Sequence, residues 1–145
     1  MLFLRYNTRM DRKKLLKILV VLMIFMYVFH SLATQFYWYS LIWWLDMPMH
    51  FLGGIWQGLF FIYVFNYFFS QKLSSFKLIS SIILCVLLIG IFWEIFEFVV
   101  YNHIGQNPFI ILDTISDLCF DLAGGTFSLF YFYKRIMFTD MNTVQ

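Results

Sequence analysis

Long apolar runs, each about the length needed to cross a bilayer, dominate this sequence and set what it can fold into. They cover residues 15–32, 50–69, 78–101 and 115–133, close to the roughly 20 residues an α-helix needs to traverse a hydrocarbon core of about 30 Å. Hydrophobic residues make up 62% of the 145 and charged residues 12%, against roughly 45–50% and about 25% in soluble domains. A soluble fold of this size cannot hide so much apolar surface. Lipid can cover it, provided the backbone satisfies its hydrogen bonds within helices. The expected fold is all-α: one membrane domain over residues 1–145, an integral bundle of four transmembrane helices.

The basic residues give the orientation. Of the ten Lys and Arg, nine fall before the first run, between the second and third, or after the fourth, and Lys17 lies at the very start of the first. The positive-inside rule then places both termini and the loop around Lys72 and Lys77 in the cytoplasm, and residues 35–49 and 102–112 outside. The segment from Gln35 to Leu45, rich in Tyr and Trp, suits an interfacial belt or a short helix lying in the headgroup region between spans one and two. The basic N-terminus, the apolar run and Ser31-Leu-Ala33 also resemble a secretory signal with a small-residue cleavage site; with or without cleavage, the next span enters from outside. Cys85 and Cys119 lie in apolar runs at different depths, so no disulfide between them is expected. No nucleic-acid signature is present, and the basic stretch from Arg5 to Lys17 fits topology and anionic lipid.

The acidic residues follow a different logic. Of eight, Asp11 and Asp140 lie in the tails, whereas Asp46, Glu94, Glu97, Asp113, Asp117 and Asp121 lie in or beside the apolar runs. Each charge placed there costs a few kcal/mol, so six of them point to a functional interior. Asp46 and His50 are four apart, Glu94 and Glu97 three apart, and Asp113, Asp117 and Asp121 successive steps of four, so each set shares a helix face. Spans two and four begin outside and carry their acids early, while span three ends outside and carries its glutamates late. All three sets therefore converge on the outer half. Gly54-Ile-Trp-Gln-Gly58, Gly90 and Gly124-Gly125 let the helices meet closely there.

No Lys or Arg is available to neutralise such a cluster. Neighbouring carboxylates repel and a low dielectric penalises their charge, so a divalent cation held by Asp, Glu and His, or protonation, has to balance it. Some members have simpler roles available. Asp46, just before Met47-Pro48, can serve as a helix N-cap, as can Asp113; His50 alone would read as an interfacial histidine. Glu94, Glu97, Asp117 and Asp121 have no capping role. His30 and His103 lie toward the outer side without partners at helical spacing.

At these residues the chain resembles bacterial membrane proteins of the VanZ-like family and the related YjdF-like group. Asp46-Met-Pro-Met-His50-Phe51 is similar to an Asp-Lys-x-x-His-Phe helix start, Glu94 and Glu97 to membrane-embedded glutamates, and Asp117-Leu-Cys-Phe-Asp121-Leu-Ala-Gly124 to Asp-x-x-x-Asn-x-x-Gly. Asp113-Thr114-Ile-Ser-Asp117 is closer to the Asp-Thr-x-x-Asp of the YjdF-like group. Met47 replaces the Lys and Asp121 the Asn, both making the cluster more negative. The resemblance covers residues 46–130 and leaves the first span unmatched. It implies a small multi-pass protein of the bacterial inner membrane and carries over no reaction.

Three functions follow as expectations. In the first, a divalent cation bound by His50, Glu94, Asp117 and Asp121, with Asp113 as a further ligand, supports hydrolysis or transfer on a lipid-linked or cell-envelope substrate, with Glu97 or Asp46 as general base. In the second, the acids pass protons or cations in a transport component. In the third, the cluster specifies helix packing in a non-catalytic interaction protein, whose aromatic segment from Phe36 to Trp44 contacts lipid or another subunit. Substrate, metal identity and oligomeric state are not encoded in any motif.

Overall fold

The computed structural model describes residues 12–68, 75–103 and 111–142. The N-terminal basic tail, the loop around Lys72 and the loop around Pro108, all used in the sequence reading, lie outside the described residues. The described chain is helical apart from residues 36–37 and 42–45. In order it forms α1 (Arg12–Gln35), α2 (Trp38–Leu41), α3 (Asp46–Phe68), α4 (Ser75–His103) and α5 (Ile111–Asn142).

All four long helices begin before their apolar runs, and α1, α4 and α5 also continue past them, because polar residues in the headgroup zone continue a helix that the hydrocarbon core has already nucleated. Pro48 sits in the first turn of α3, where its missing N–H costs no helical hydrogen bond. Tyr37 stops α1: its φ of 57° is left-handed, a conformation common one step past a helix end but unusual for a residue with a large side chain. The chain then restarts as the four-residue α2, and the return to α3 is closed by backbone bonds, including Ile42 N–H to Trp38 O at 2.8 Å and Leu45 N–H to Ile42 O at 3.0 Å. The expected short aromatic helix is therefore present, limited by Tyr37 to one turn.

Among the described residues, three segments are long and apolar enough to cross a membrane: Lys13–Gln35, Asp46–Phe65 and Phe76–His103, with mean hydropathies of 2.3, 1.2 and 2.5. The expectation of four spans is met on this criterion for three. At 32 residues α5 has the length, but Asp113, Asp117 and Asp121 interrupt its apolar sequence.

The contacts fix how the helices run. Along α3 and α5, Gly54 lies against Asp121, Gly58 against Ser128, and Ile62 in one cluster with Leu129 and Phe132. Numbers rise together, so these two helices are parallel. On α4, Gly90 meets Asp121, Val86 meets Gly125, and Ile82 joins the cluster of Leu129 and Phe132, so α4 is antiparallel to both. On α1, Met26 lies near Gly53 while Leu15 and Leu19 pack with Leu59, again antiparallel to α3. The Trp56 indole N–H donates to the Leu19 carbonyl at 3.0 Å, tying α3 to α1.

Toward the end of the bundle remote from the acids, Ile62, Ile82, Val86, Leu129 and Phe132 are buried together between α3, α4 and α5. The outward faces are equally apolar. Phe92 is 69% and Phe130 64% exposed, a loss for a soluble protein but the ordinary state of a lipid-facing side chain. Cys85 and Cys119 are free thiols.

Candidate functional site

The parallel run of α3 and α5, with α4 reversed between their sequence positions, brings the start of α3, the end of α4 and the start of α5 to one end of the bundle. The convergence expected from helical spacing is thus real, and glycines set how tight it is. A methyl group on Gly54 would fall on the Asp121 carbonyl oxygen, and one on Gly124 would fall on the Phe51 carbonyl oxygen. The α3 and α5 backbones therefore touch. A methyl on Gly90 of α4 would lie 2.8 Å from Asp121 Oδ2, and one on Gly53 3.8 Å from Asp121 Oδ1. The Asp121 carboxylate is seated where glycines of two neighbouring helices, Gly53 of α3 and Gly90 of α4, present backbone instead of side chain.

His50 occupies the centre. It is 7% exposed, Asp117 2% and Asp121 3%, burial that charged residues reach only when paired. The imidazole lies between two carboxylates, with Nδ1 3.4 Å from Asp121 Oδ2 and Nε2 3.7 Å from Asp46 Oδ2. Asp46, one turn earlier on α3, keeps its side chain 39% exposed and forms the mouth of the site. One ligand atom each from Asp46, His50 and Asp117 fall within 4.8 Å of one another, close enough to hold a metal ion.

The glutamates of α4 flank this group. Thr114 hydrogen-bonds the Glu94 carboxylate, while Glu94 Oε1 is buried with no hydrogen-bond partner. Gln57 Oε1 is in the same position, two helical turns past His50 on the same face of α3. A buried acceptor without a donor costs about 1–3 kcal/mol. Trp93, one turn before Glu97, hydrogen-bonds its carboxylate, and Glu97 feels the charges of Asp46 and Glu94. Asp113 remains exposed in the first turn of α5, where a negative charge is favoured by the helix dipole. It lies outside the group of three.

Three contributors were not visible at helical spacing or were passed over. Thr114 shares the face of Asp117 and Asp121 and was in principle readable, as was Trp93 at four residues from Glu97. Tyr39 was not, because it comes from α2. Its hydroxyl lies 2.9 Å from His30 Nδ1, giving His30 the partner that sequence spacing did not. Burial, reinforced by the negative charges of Asp46 and Glu97, pushes the Tyr39 phenol from 10.0 up to about 12.

Residues 1–137 match the family described as Predicted membrane protein (DUF2238). The chain belongs to this family of membrane proteins. As a DUF2238 protein it is matched from α1 onward, including the first span that the VanZ-like resemblance left aside; the match is to this family and not specifically to the VanZ-like one. No curated protein and no solved structure matches this DUF2238 chain.

Proposed function

We propose that this protein holds a divalent cation at the outer mouth of a four-span bundle, and that the cation serves hydrolysis or group transfer on a lipid-linked or cell-envelope substrate. Three oxygen and nitrogen ligand atoms from Asp46, His50 and Asp117, within 4.8 Å of one another, carry the proposal. Ligands bonded at about 2.0–2.2 Å to one ion lie at most about 4.4 Å apart, so small side-chain adjustments close the set. Mixed carboxylate and imidazole donors suit zinc, manganese or iron better than a hard all-oxygen site suits calcium.

Within this assignment Asp121 takes the Nδ1 side of His50, leaving Nε2 for the ion. That is the carboxylate–histidine–metal arrangement in which an outer carboxylate fixes the ring's tautomer and orientation. The unpartnered Glu94 Oε1 supplies a further ligand or accepts a proton from substrate. With Asp46 in the ligand set, Glu97 is the carboxylate available to take a proton as general base, held in place by Trp93. The ion itself supplies Lewis acidity.

The fourth span is α5, and both termini are cytoplasmic. Its parallel packing on α3 over the whole apolar length supports this, since a helix cannot lie backbone to backbone against a span without occupying the same slab of membrane. The distribution of Lys and Arg supports the orientation. The buried cluster of Ile62, Ile82, Val86, Leu129 and Phe132 closes the bundle beyond the acids, which favours a site that works at one face over a conducting path.

Metal content of the detergent-purified protein tests the proposal. About one divalent ion per chain in the wild type, lost in Asp117→Ala with the helical content intact, is the expected result. A wild type without metal overturns it and leaves the cluster as a device for helix packing.

A further inference from the structure

Away from the acidic end, α1 and α5 both lean on α3 without closing on each other, and the gap between them is a groove of about 570 Å³ open to the side. That volume lies in the range of about 300–1,000 Å³ in which proteins hold small molecules. Its walls are Val21, Leu22 and Phe25 of α1, Leu59 of α3, and Phe127 and Tyr131 of α5. Ser128 also lines it, but its hydroxyl donates to the Gly125 carbonyl at 2.7 Å, so it asks nothing polar of an occupant. Lys14 and Lys17, both exposed, stand at one end.

We infer that this groove is a binding site for one anionic phospholipid of the cytoplasmic leaflet, an acyl chain lying between α1 and α5 and the phosphate meeting Lys14 and Lys17. The dimensions fit. From Lys14 to Phe25 is eleven residues, about 16 Å at 1.5 Å per residue, and half of a hydrocarbon core of about 30 Å is about 15 Å. The groove is therefore one leaflet deep, apolar along the depth of the tails and cationic at the level of the phosphates. Lysines in that position run their stems along the apolar wall and keep the ammonium at the headgroups. Charge also selects against a second copy of the chain as occupant: two copies in one membrane share an orientation, and mutual insertion into this groove would set Lys14 and Lys17 of each beside those of the other.

The inference depends on α5 crossing the bilayer but not on the metal. Its test is native mass spectrometry of the full chain in mixed micelles containing phosphatidylglycerol or phosphatidylcholine, with a reporter fused at the C-terminus to read topology in cells. The wild type is expected to retain one phosphatidylglycerol per chain in preference to phosphatidylcholine. In Lys14→Gln/Lys17→Gln that preference should fall by on the order of thirtyfold, from the ordinary contribution of two juxtamembrane lysines. Val21→Trp, which fills the groove from an exposed position and leaves the lysines in place, should abolish retention of either lipid. Equal retention of both lipids by the wild type, or retention unchanged in both variants, overturns the site while a cytoplasmic C-terminus leaves the topology standing. An extracytoplasmic C-terminus overturns both.

Discussion

His50 Nδ1 on α3 and Asp121 Oδ2 on α5 lie 3.4 Å apart across 71 residues of sequence, and this pair joins the two helices at the buried end of the site. Because the carboxylate engages the ring nitrogen that faces away from Asp46, Asp117 and Asp121 are expected to respond differently to the same change. Asp121→Asn should keep the metal stoichiometry and lower the affinity by about 10–100-fold, the usual effect of losing an outer partner of a histidine ligand. Asp117→Asn should lose stoichiometric metal. Metal titration of both variants, followed by competition with a chelator, checks the distinction; equal losses would make Asp121 a ligand.

Gly54 and Gly53 are neighbours with opposite expectations. A methyl at Gly54 meets the Asp121 backbone, which cannot move aside without parting α3 from α5, whereas at Gly53 the nearest atoms are at ordinary contact distance, 3.8 and 3.9 Å. Gly54→Ala should therefore destabilise the folded protein by about 1–3 kcal/mol, the range for an overpacked interior, and Gly53→Ala should leave it nearly unchanged. Thermal unfolding in a fixed detergent, compared for the two variants, measures the difference.

Glu97 separates a catalytic role from a structural one. Under the proposed function Glu97, held by Trp93, takes the proton, so Glu97→Gln should preserve fold and metal while lowering turnover by about 10²–10⁴-fold, the usual loss for an absent general base. Wild-type activity in a purified Glu97→Gln protein would take Glu97 out of the chemistry.

Tyr39 makes a prediction about pH. Its phenol is raised from 10.0 to about 12 in the folded protein, so the folded state binds this proton more tightly than the unfolded state does. The associated stability is complete below pH 10 and is lost as pH rises from there toward 12. Ultraviolet difference titration of wild type against Tyr39→Phe should show its tyrosinate appearing near pH 12. Ionisation at the ordinary value would mean that Tyr39 is neither buried nor within reach of the charges of Asp46 and Glu97.

Much of this was legible in the sequence because helices repeat. The i, i+4 spacing of Asp46 with His50 and of Asp117 with Asp121 fixed their shared faces, and alternating span direction brought them to one end. The helix termini were less accessible, since a helix continues past its apolar run wherever polar residues meet headgroups, as Asp46 and Ile111 show. The division of labour among the acids was not readable at all. Whether Asp121 faces Nδ1 or Nε2 of His50 depends on where Gly54 and Gly90 let the backbones approach, and periodicity carries no information about that. Nor could spacing find the His30–Tyr39 pair, which depends on a single left-handed residue, Tyr37, turning the chain back toward α1.

The parallel pairing of α3 and α5 has a consequence for biosynthesis. At about 5–20 residues per second, the 71 residues between His50 and Asp121 take roughly 4–14 s to translate, and through that interval α3 emerges without Asp117 or Asp121. The partner His50 then has on its own helix is Asp46, one turn away. This local pair lets α3 enter the bilayer with its imidazole already matched to a carboxylate, and the ribosome completes the site only when the last helix arrives.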